Sequence, residues 1–424
     1  MKPPIVLLAT VDTKAAEVAF LRAELVGHGW PVRVLDVGLW VVRDGVDVPA
    51  DAVATAAGSE LDELRVSARR DEAMAVMAAG ARAVLERWRA AGELSGILAV
   101  GGNQGTSIAA AAMRELPYGI PKLIVSTVAS GNVREYVGDS DVTLMFSVGD
   151  LLGGANPVVA GVLRRAAAAV AGMAAVPDTE DGAGGPLVAL TAFGNTHPAV
   201  TAAMRVLADS GLGAVPFHAS GACGSAMERL IDGGTFHGVL DLTTHELLGE
   251  LFPDDIYAPV RPGRLTAAGR AGIAQVVAPG GLEYHCFGGK DTIPIALRDR
   301  PTHYHNPNNT NVRATADELV VVAEAMAERL NASTGQVAVL IPRLGWSVVG
   351  SPAGVLHDPA ANDAFSTTLR ARLSPRMRLD ELDVTINDPV FGTTAARTLL
   401  EMMGNRSGAE PHTAATGHAL REGG

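Results

Sequence analysis

Two glycine-rich turns hold most of the residues that could do chemistry. The first is Gly101-Gly102-Asn103-Gln104-Gly105-Thr106, between the apolar run Gly96–Val100 and an alanine-rich segment. Glycines let the backbone come close to a ligand, and the free N–H groups at a helix N-terminus supply donors and partial positive charge for a phosphate. Two further polar turns, Thr10-Val11-Asp12-Thr13 followed by Lys14, and the one after Ser126 and Thr127, end apolar runs in the same way. Lys14 can pair with a phosphate or stay solvated in a first helical turn. Asp36 closes the run Val32–Asp36, where an acidic residue can hold a ribose hydroxyl or cap a turn. Asp139 and Asp141 offer oxygens to magnesium, or an Asx turn to the backbone. The chain has neither G-x-x-x-x-G-K-[ST] nor G-x-G-x-x-G, so it lacks a P-loop and the usual dinucleotide fingerprint.

The second glycine-rich turn lies in Phe217–Glu228, FHASGACGSAME, and brings His218 and Glu228. The neighbouring strand-end segment adds Asp241, Thr243, Thr244, His245 and Glu246. A histidine among carboxylates suits acid/base catalysis, with His218, Glu228, Asp241 and Glu246 as candidates, or a structural hydrogen-bonded role. No H-x-x-x-H or H-E-x-x-H spacing is present, so no metal site is assigned.

These residues need elements to position them. The opening predicts a strand at Ile5–Ala9, a turn in which Asp12 and Thr13 cap a helix, the helix Lys14–Gly27, and a strand at Val32–Asp36. Further strands are expected at Gly96–Val100, Lys122–Ser126 and Val142–Phe146, and helices at Asp71–Ala91, Ser107–Leu116 and Pro157–Met173. Such alternation argues for a mostly parallel sheet covered on both faces. Its ligands would bind beyond the carboxyl ends of the strands, where all three first-half turns lie.

After a polar, Gly/Pro-rich stretch at 177–186 the pattern restarts at Leu187. Ile5–Gly38 matches Leu187–Gly221 in its strand, turn, amphipathic helix and second strand; GILAVGG then corresponds to GVLDLTT, and GIPKLIVST to GIAQVVAPG. The repeat predicts an α/β protein of two Rossmann-like subdomains, with mostly parallel sheets facing a cleft. The expected organisation is a first subdomain at 1–176, a linker at 177–186, a second subdomain at 187–403 and a flexible tail at 404–424. His285, His303, His305 and Asn306 fall in a loop-rich stretch, too long for a plain connection. Helix–strand order returns with Ala316–Leu330, Gln336–Ile341, Ala360–Leu373, Leu379–Ile386 and Pro389–Met403.

Across 424 residues, 48% are hydrophobic and 19% charged, as in an ordered globular protein. A net charge of −12 argues against direct nucleic-acid binding, which needs clustered Lys and Arg. Two cysteines, Cys223 and Cys286, are too few for a disulfide framework and lack zinc-pair spacing, consistent with a reducing cytoplasm. The apolar runs are too short for a signal peptide or a membrane span, so no membrane association is expected.

With these residues in place, the chain resembles the ATP-binding N-terminal domain family of the tomato mosaic virus resistance protein and its uncharacterised bacterial relatives. The resemblance spans about residues 4–403 and rests on TVDTKAAEVAFLR, GGNQGTS, GIPKLIVSTVASG, YVGDSDVTLMFSVGDLLG, FHASGACGSAME, GVLDLTTHE and HYHNPNN through VRAT. It implies two Rossmann-like subdomains, a homodimer, and ATP or a related adenine nucleotide in the first subdomain; magnesium is a possible companion cofactor, not part of the resemblance. The expected contacts are Asp12, Thr13, Lys14, Gly101, Gly102, Gly105, Thr106, Ser126 and Thr127. The family's plant member inhibits viral replication by binding the viral replication protein; that action does not carry over. A barrel-like domain is fused in the plant protein, so a separate barrel-domain protein is an expected partner here. Asn103-Gln104 departs from the small residue that usually follows the two glycines, which changes the phosphate contacts of the loop. The alternative expectation is an enzyme acting on a small phosphorylated or carboxylated metabolite in the cleft, metal-assisted or not. A third is a regulatory module.

Overall fold

The computed structural model describes residues 2–66, 69–154, 156–177, 185–252 and 254–404. Most of the expected linker and the tail from 405 onward lie outside the described residues. The chain divides into two compact units, Met1–Asp181 and Gly182–Gly424.

The first unit holds five parallel strands, β1 (Ile5–Ala9), β2 (Val32–Asp36), β3 (Gly96–Gly101), β4 (Lys122–Ser126) and β5 (Thr143–Phe146), in the order β2-β1-β3-β4-β5. Both β1 and β3 are buried at every position because helices cover both faces, so their sequences are unbroken apolar runs. Successive side chains still alternate. Val6, Leu8, Ile97 and Ala99 face the helices Ala50–Ala56, Arg70–Ala90 and Asn103–Arg114, whereas Ile5, Leu7, Leu98 and Val100 face Val11–Gly27 and Pro157–Ala175. Pro157–Ala175 is long and apolar enough to cross a membrane, but Val159, Leu163, Ala166 and Val170 use that character to pack on this sheet.

The second unit repeats the plan. Strands β6 (Leu187–Ala192), β7 (Gly213–His218), β8 (Gly238–Asp241) and β9 (Ala274–Val277) take the places of β1 to β4. The stretch after β9 forms a small antiparallel sheet instead of loops: β10 (Tyr284–Phe287), β11 (Thr302–Asn306) and β12 (Asn309–Arg313), in the order β10-β12-β11. The main sheet then resumes with β13 (Val337–Pro342) and β14 (Arg378–Leu382), giving β14-β13-β9-β8-β6-β7, all parallel. Thus both units are Rossmann-like, and in each the chain order reverses at the first strand. Strand β14 stops at Leu382, short of the expected Ile386, because it pairs only with β13 through Pro342.

Two helix starts differ from expectation. The first helix begins at Val11, with a kink at Lys14, and the next glycine turn is helical from Asn103. In neither does a side chain cap the N-terminus. Asp12 is therefore no cap: its Oδ2 accepts from the N–H groups of Leu39 and Trp40, at 3.3 and 3.2 Å. Thr13 turns back to the carbonyl of Thr10 at 3.1 Å.

Candidate functional site

The reversal in the first unit lies between β1 and β3, and the crevice beyond their carboxyl ends is where open parallel sheets bind ligands. Two adjoining cavities lie there, of about 410 and 600 Å³, with Thr10, Thr13, Arg70, Met74 and Gln104 in both walls. One end is apolar, lined by Leu39, Trp40, Leu64, Met77 and Ile108. Trp40 is 65% exposed, and the Arg65 guanidinium lies 4.6 Å from its ring centre. The other end is made of Lys14, Gly102, Asn103, Gln104 and Gly105. Gly102 is the N-cap of Asn103–Arg114, a 12-residue helix, so first-turn N–H groups open onto this wall.

Of the residues expected to hold nucleotide, Asp12, Thr13, Lys14, Gly102 and Gly105 line these cavities. Gly101, Thr106 and Ser126 are scaffold beneath them. The Thr106 and Ser126 hydroxyls bond each other at 2.7 Å, both fully buried, and a Cβ on Gly101 would come within 2.8 Å of Gly105 Cα. Thr127 stands beside the wall, with its Oγ1 3.7 Å from where a Cβ on Gly102 would lie.

Asp36 is buried and serves the fold: its Oδ1 accepts from Val11 N at 3.0 Å and Gly38 N at 2.9 Å. Burial pushes its carboxyl up to about 6, against those two bonds and with help from Asp12. Asp141 is engaged by the buried Lys122 ammonium at 2.5 Å and by Gly119 N at 2.8 Å, which leaves the expected magnesium pair with Asp139 without support. Arg70, Trp40 and Arg65 were missed, because nothing in helix and coil positions far from the glycine turn signals a shared cavity.

In the second unit the four acid/base candidates separate. Arg264, itself buried, gathers three of them: its Nε donates to Glu246 at 2.6 Å, its Nη1 to Glu228 at 2.8 Å and to Asp241 at 2.9 Å, and its Nη2 to Asp241 at 3.0 Å. Glu246 also accepts from Gly221 N and Gly224 N, and Glu228 from Leu265 N and Ala267 N. A Cβ on Gly224 would lie 1.7 Å from Glu246 Oε2, so only glycine admits this carboxylate to the start of the helix Ala222–Asp232. Burial pushes both glutamates up against the pull of Arg264. Every carboxylate is committed inside the protein, and the three form a structural knot.

His218 faces elsewhere. It lines a cavity of about 290 Å³ with Asn195, Tyr257, Tyr284, Cys286, Asn309 and Asn311 among its walls. The ring is exposed at the cavity, and partial desolvation lowers its pKa, which favours the neutral imidazole. Cys286 lines the same cavity, and behind it His245 and Asp255 converge on Cys286, all three buried. Burial opposes charge on His245, but Asp255 and then Cys286 outweigh it and raise its pKa well above the ordinary value. Sequence spacing gives no sign of this cluster, since its members come from a helix, a loop and β10.

This architecture is that of a two-unit α/β protein of Rossmann type, with a crevice at a strand-order reversal in the first unit. The chain belongs to the uncharacterised protein family UPF0261: the family's N-terminal domain matches residues 3–179 and its C-terminal domain residues 185–403. It is 36% identical over 407 residues to a UPF0261 protein of Clostridium tetani, covering 95% of this chain and all of that one. A UPF0261 protein of Rhizobium meliloti is 36% identical over 394 residues, 92% of this chain and 97% of that one. The tomato ToMV resistance protein Tm-1(GCR237) is 36% identical over 320 residues, 73% of this chain but 42% of the plant protein.

Proposed function

We propose that the first unit binds an adenine nucleotide, ATP or a close relative, without a P-loop. The observation that carries this reading is the uncapped N-terminus of Asn103–Arg114 at the β1/β3 reversal, joined to an apolar cavity with Trp40 at its mouth. Backbone N–H groups and the Lys14 and Arg70 side chains suit phosphates, and Leu64, Met74, Met77 and Trp40 suit a purine. Asp12 Oδ1, buried with no hydrogen-bond partner, offers an oxygen to the magnesium that accompanies phosphates. The resemblance adds a homodimer to this proposal, for which light scattering is the check, and the two free cysteines add a cytoplasmic location. Calorimetry with ATP, ADP and AMP, with and without magnesium, tests the reading. Saturable heat supports it, and none at millimolar nucleotide overturns it.

A second reading rests on the neutral His218 in its polar cavity: a base acting on a small metabolite within the second unit. A metabolite panel read by thermal shift tests it, and a shift that survives His218→Ala counts against His218 as the base.

A further inference from the structure

We infer that His245, Asp255 and Cys286 form a metal site for zinc or a similar borderline divalent cation, separate from the nucleotide crevice. One ligand atom from each lies within 4.8 Å of the others, and all three side chains are buried. His245 Nε2 stands 3.3 Å from Asp255 Oδ1 and 3.2 Å from Oδ2, a separation compatible with two ligands on one tetrahedral ion.

The surrounding hydrogen bonds orient each ligand. His245 Nδ1 lies 2.7 Å from the Gly281 carbonyl, which can only accept, so Nδ1 keeps its proton, and Nε2, whose proton faces Asp255 in the metal-free chain, is the nitrogen a cation would take in exchange for that proton. Asp255 is fixed by Tyr257 N on one oxygen and Cys286 N on the other, each at 2.7 Å. Asn311 Nδ2 reaches Cys286 Sγ at 3.1 Å, a contact that steadies a thiolate. Held this way, one imidazole, one carboxylate and one thiolate match the ligand preferences of zinc, and two anionic ligands balance a divalent charge in a buried place.

Three protein ligands leave a fourth position. Cys286 also lines the 290 Å³ cavity with His218, and two phenols there bear on what that cavity takes. Tyr284 OH accepts from Asn195 Nδ2 at 3.3 Å and Tyr257 OH from Asn309 Nδ2 at 2.8 Å, which leaves each O–H hydrogen to donate. The ligand class is therefore a small molecule with an oxygen acceptor, such as a carbonyl or carboxylate.

The test uses the full chain, stripped with a chelator and titrated with cobalt(II) alone. One equivalent should bind, with visible bands of a four-coordinate ion and a thiolate-to-cobalt charge-transfer band that zinc bleaches. Cys286→Ser should lose the charge-transfer band and Cys223→Ser should keep it. A measurement on the unaltered chain guards against misfolded variants: saturating zinc should slow alkylation of Cys286 by iodoacetamide about tenfold or more, and that of Cys223 by less than about twofold. No saturable cobalt binding, a band that survives Cys286→Ser, or zinc-independent alkylation of Cys286 each overturns the proposal. The last outcome would leave the three residues as a metal-free hydrogen-bonded cluster.

Discussion

Arg264 Nε lies 2.6 Å from Glu246 Oε2, and neither side chain meets solvent. The pair is the centre of the knot that also binds Glu228 and Asp241, so removing the one cation strands three buried carboxylates. Breaking a buried ion pair from one side typically costs about 3–5 kcal/mol. Arg264→Ala is expected to lose at least that much in urea unfolding, or to fail to fold. Glu246→Gln keeps the shape but sets an amide against one of three donors, and should lose about 1–3 kcal/mol. A pH optimum that moved with Glu246→Gln while stability stayed unchanged would restore the carboxylates to a catalytic role.

The knot also marks where sequence reading stops. Asp241 and Glu246 were legible as polar residues at a strand end and the helix start that follows it, whereas Glu228, read with the glycine turn, lies well inside the helix Ala222–Asp232. Arg264, which decides their role, follows a proline- and glycine-containing stretch with no periodicity to place it. The repeated strand order was legible because central parallel strands are built on unbroken apolar runs, as in Ile5–Ala9 and 187–190. The antiparallel sheet was not: Tyr304–Asn306 is exposed and Thr302 and His303 only half-buried, and such edge strands look like loops. For the same reason Trp40 and Arg70 could not be joined to Gly102, since only tertiary packing brings them to one crevice.

Gly102 separates the phosphate reading from a plain turn. Its φ of −78° is open to any residue, and a Cβ there meets only Thr127 Oγ1, at 3.7 Å. Gly102→Asp should fold with unchanged or slightly higher stability, because aspartate is a favoured N-cap. The new carboxylate would take the first-turn N–H groups and repel phosphate, so nucleotide affinity should fall at least about tenfold. Calorimetry and thermal unfolding of the same preparation decide it. Retained affinity would mean the helix start does not hold the ligand.

Trp40 gives that crevice an optical reporter. The other three tryptophans, Trp30, Trp88 and Trp346, are buried, so Trp40 is the one whose fluorescence a crevice ligand should alter most. Nucleotide should change the emission of the native chain, and Trp40→Phe should remove most of that change. Should the response persist in Trp40→Phe, the purine would have to be placed elsewhere.

Asp36 makes a pH prediction whose sign is fixed by its burial. Its folded value of about 6 lies above its ordinary 3.8, so between those values the native state holds a proton that the unfolded chain has released. Its stability contribution is fullest below the unfolded value and is lost as pH rises through the folded one. Asn in its place keeps an oxygen for Val11 N and Gly38 N and replaces the partnerless Oδ2 with an uncharged amide. Asp36→Asn should therefore be nearly as stable as the native chain at pH 4 and more stable above pH 6.5, by about 2–3 kcal/mol. Urea unfolding across this range, with chelator and without nucleotide, measures the difference. A gap that is constant with pH would show that Asp36 titrates alike in both states, and that burial does not hold its proton.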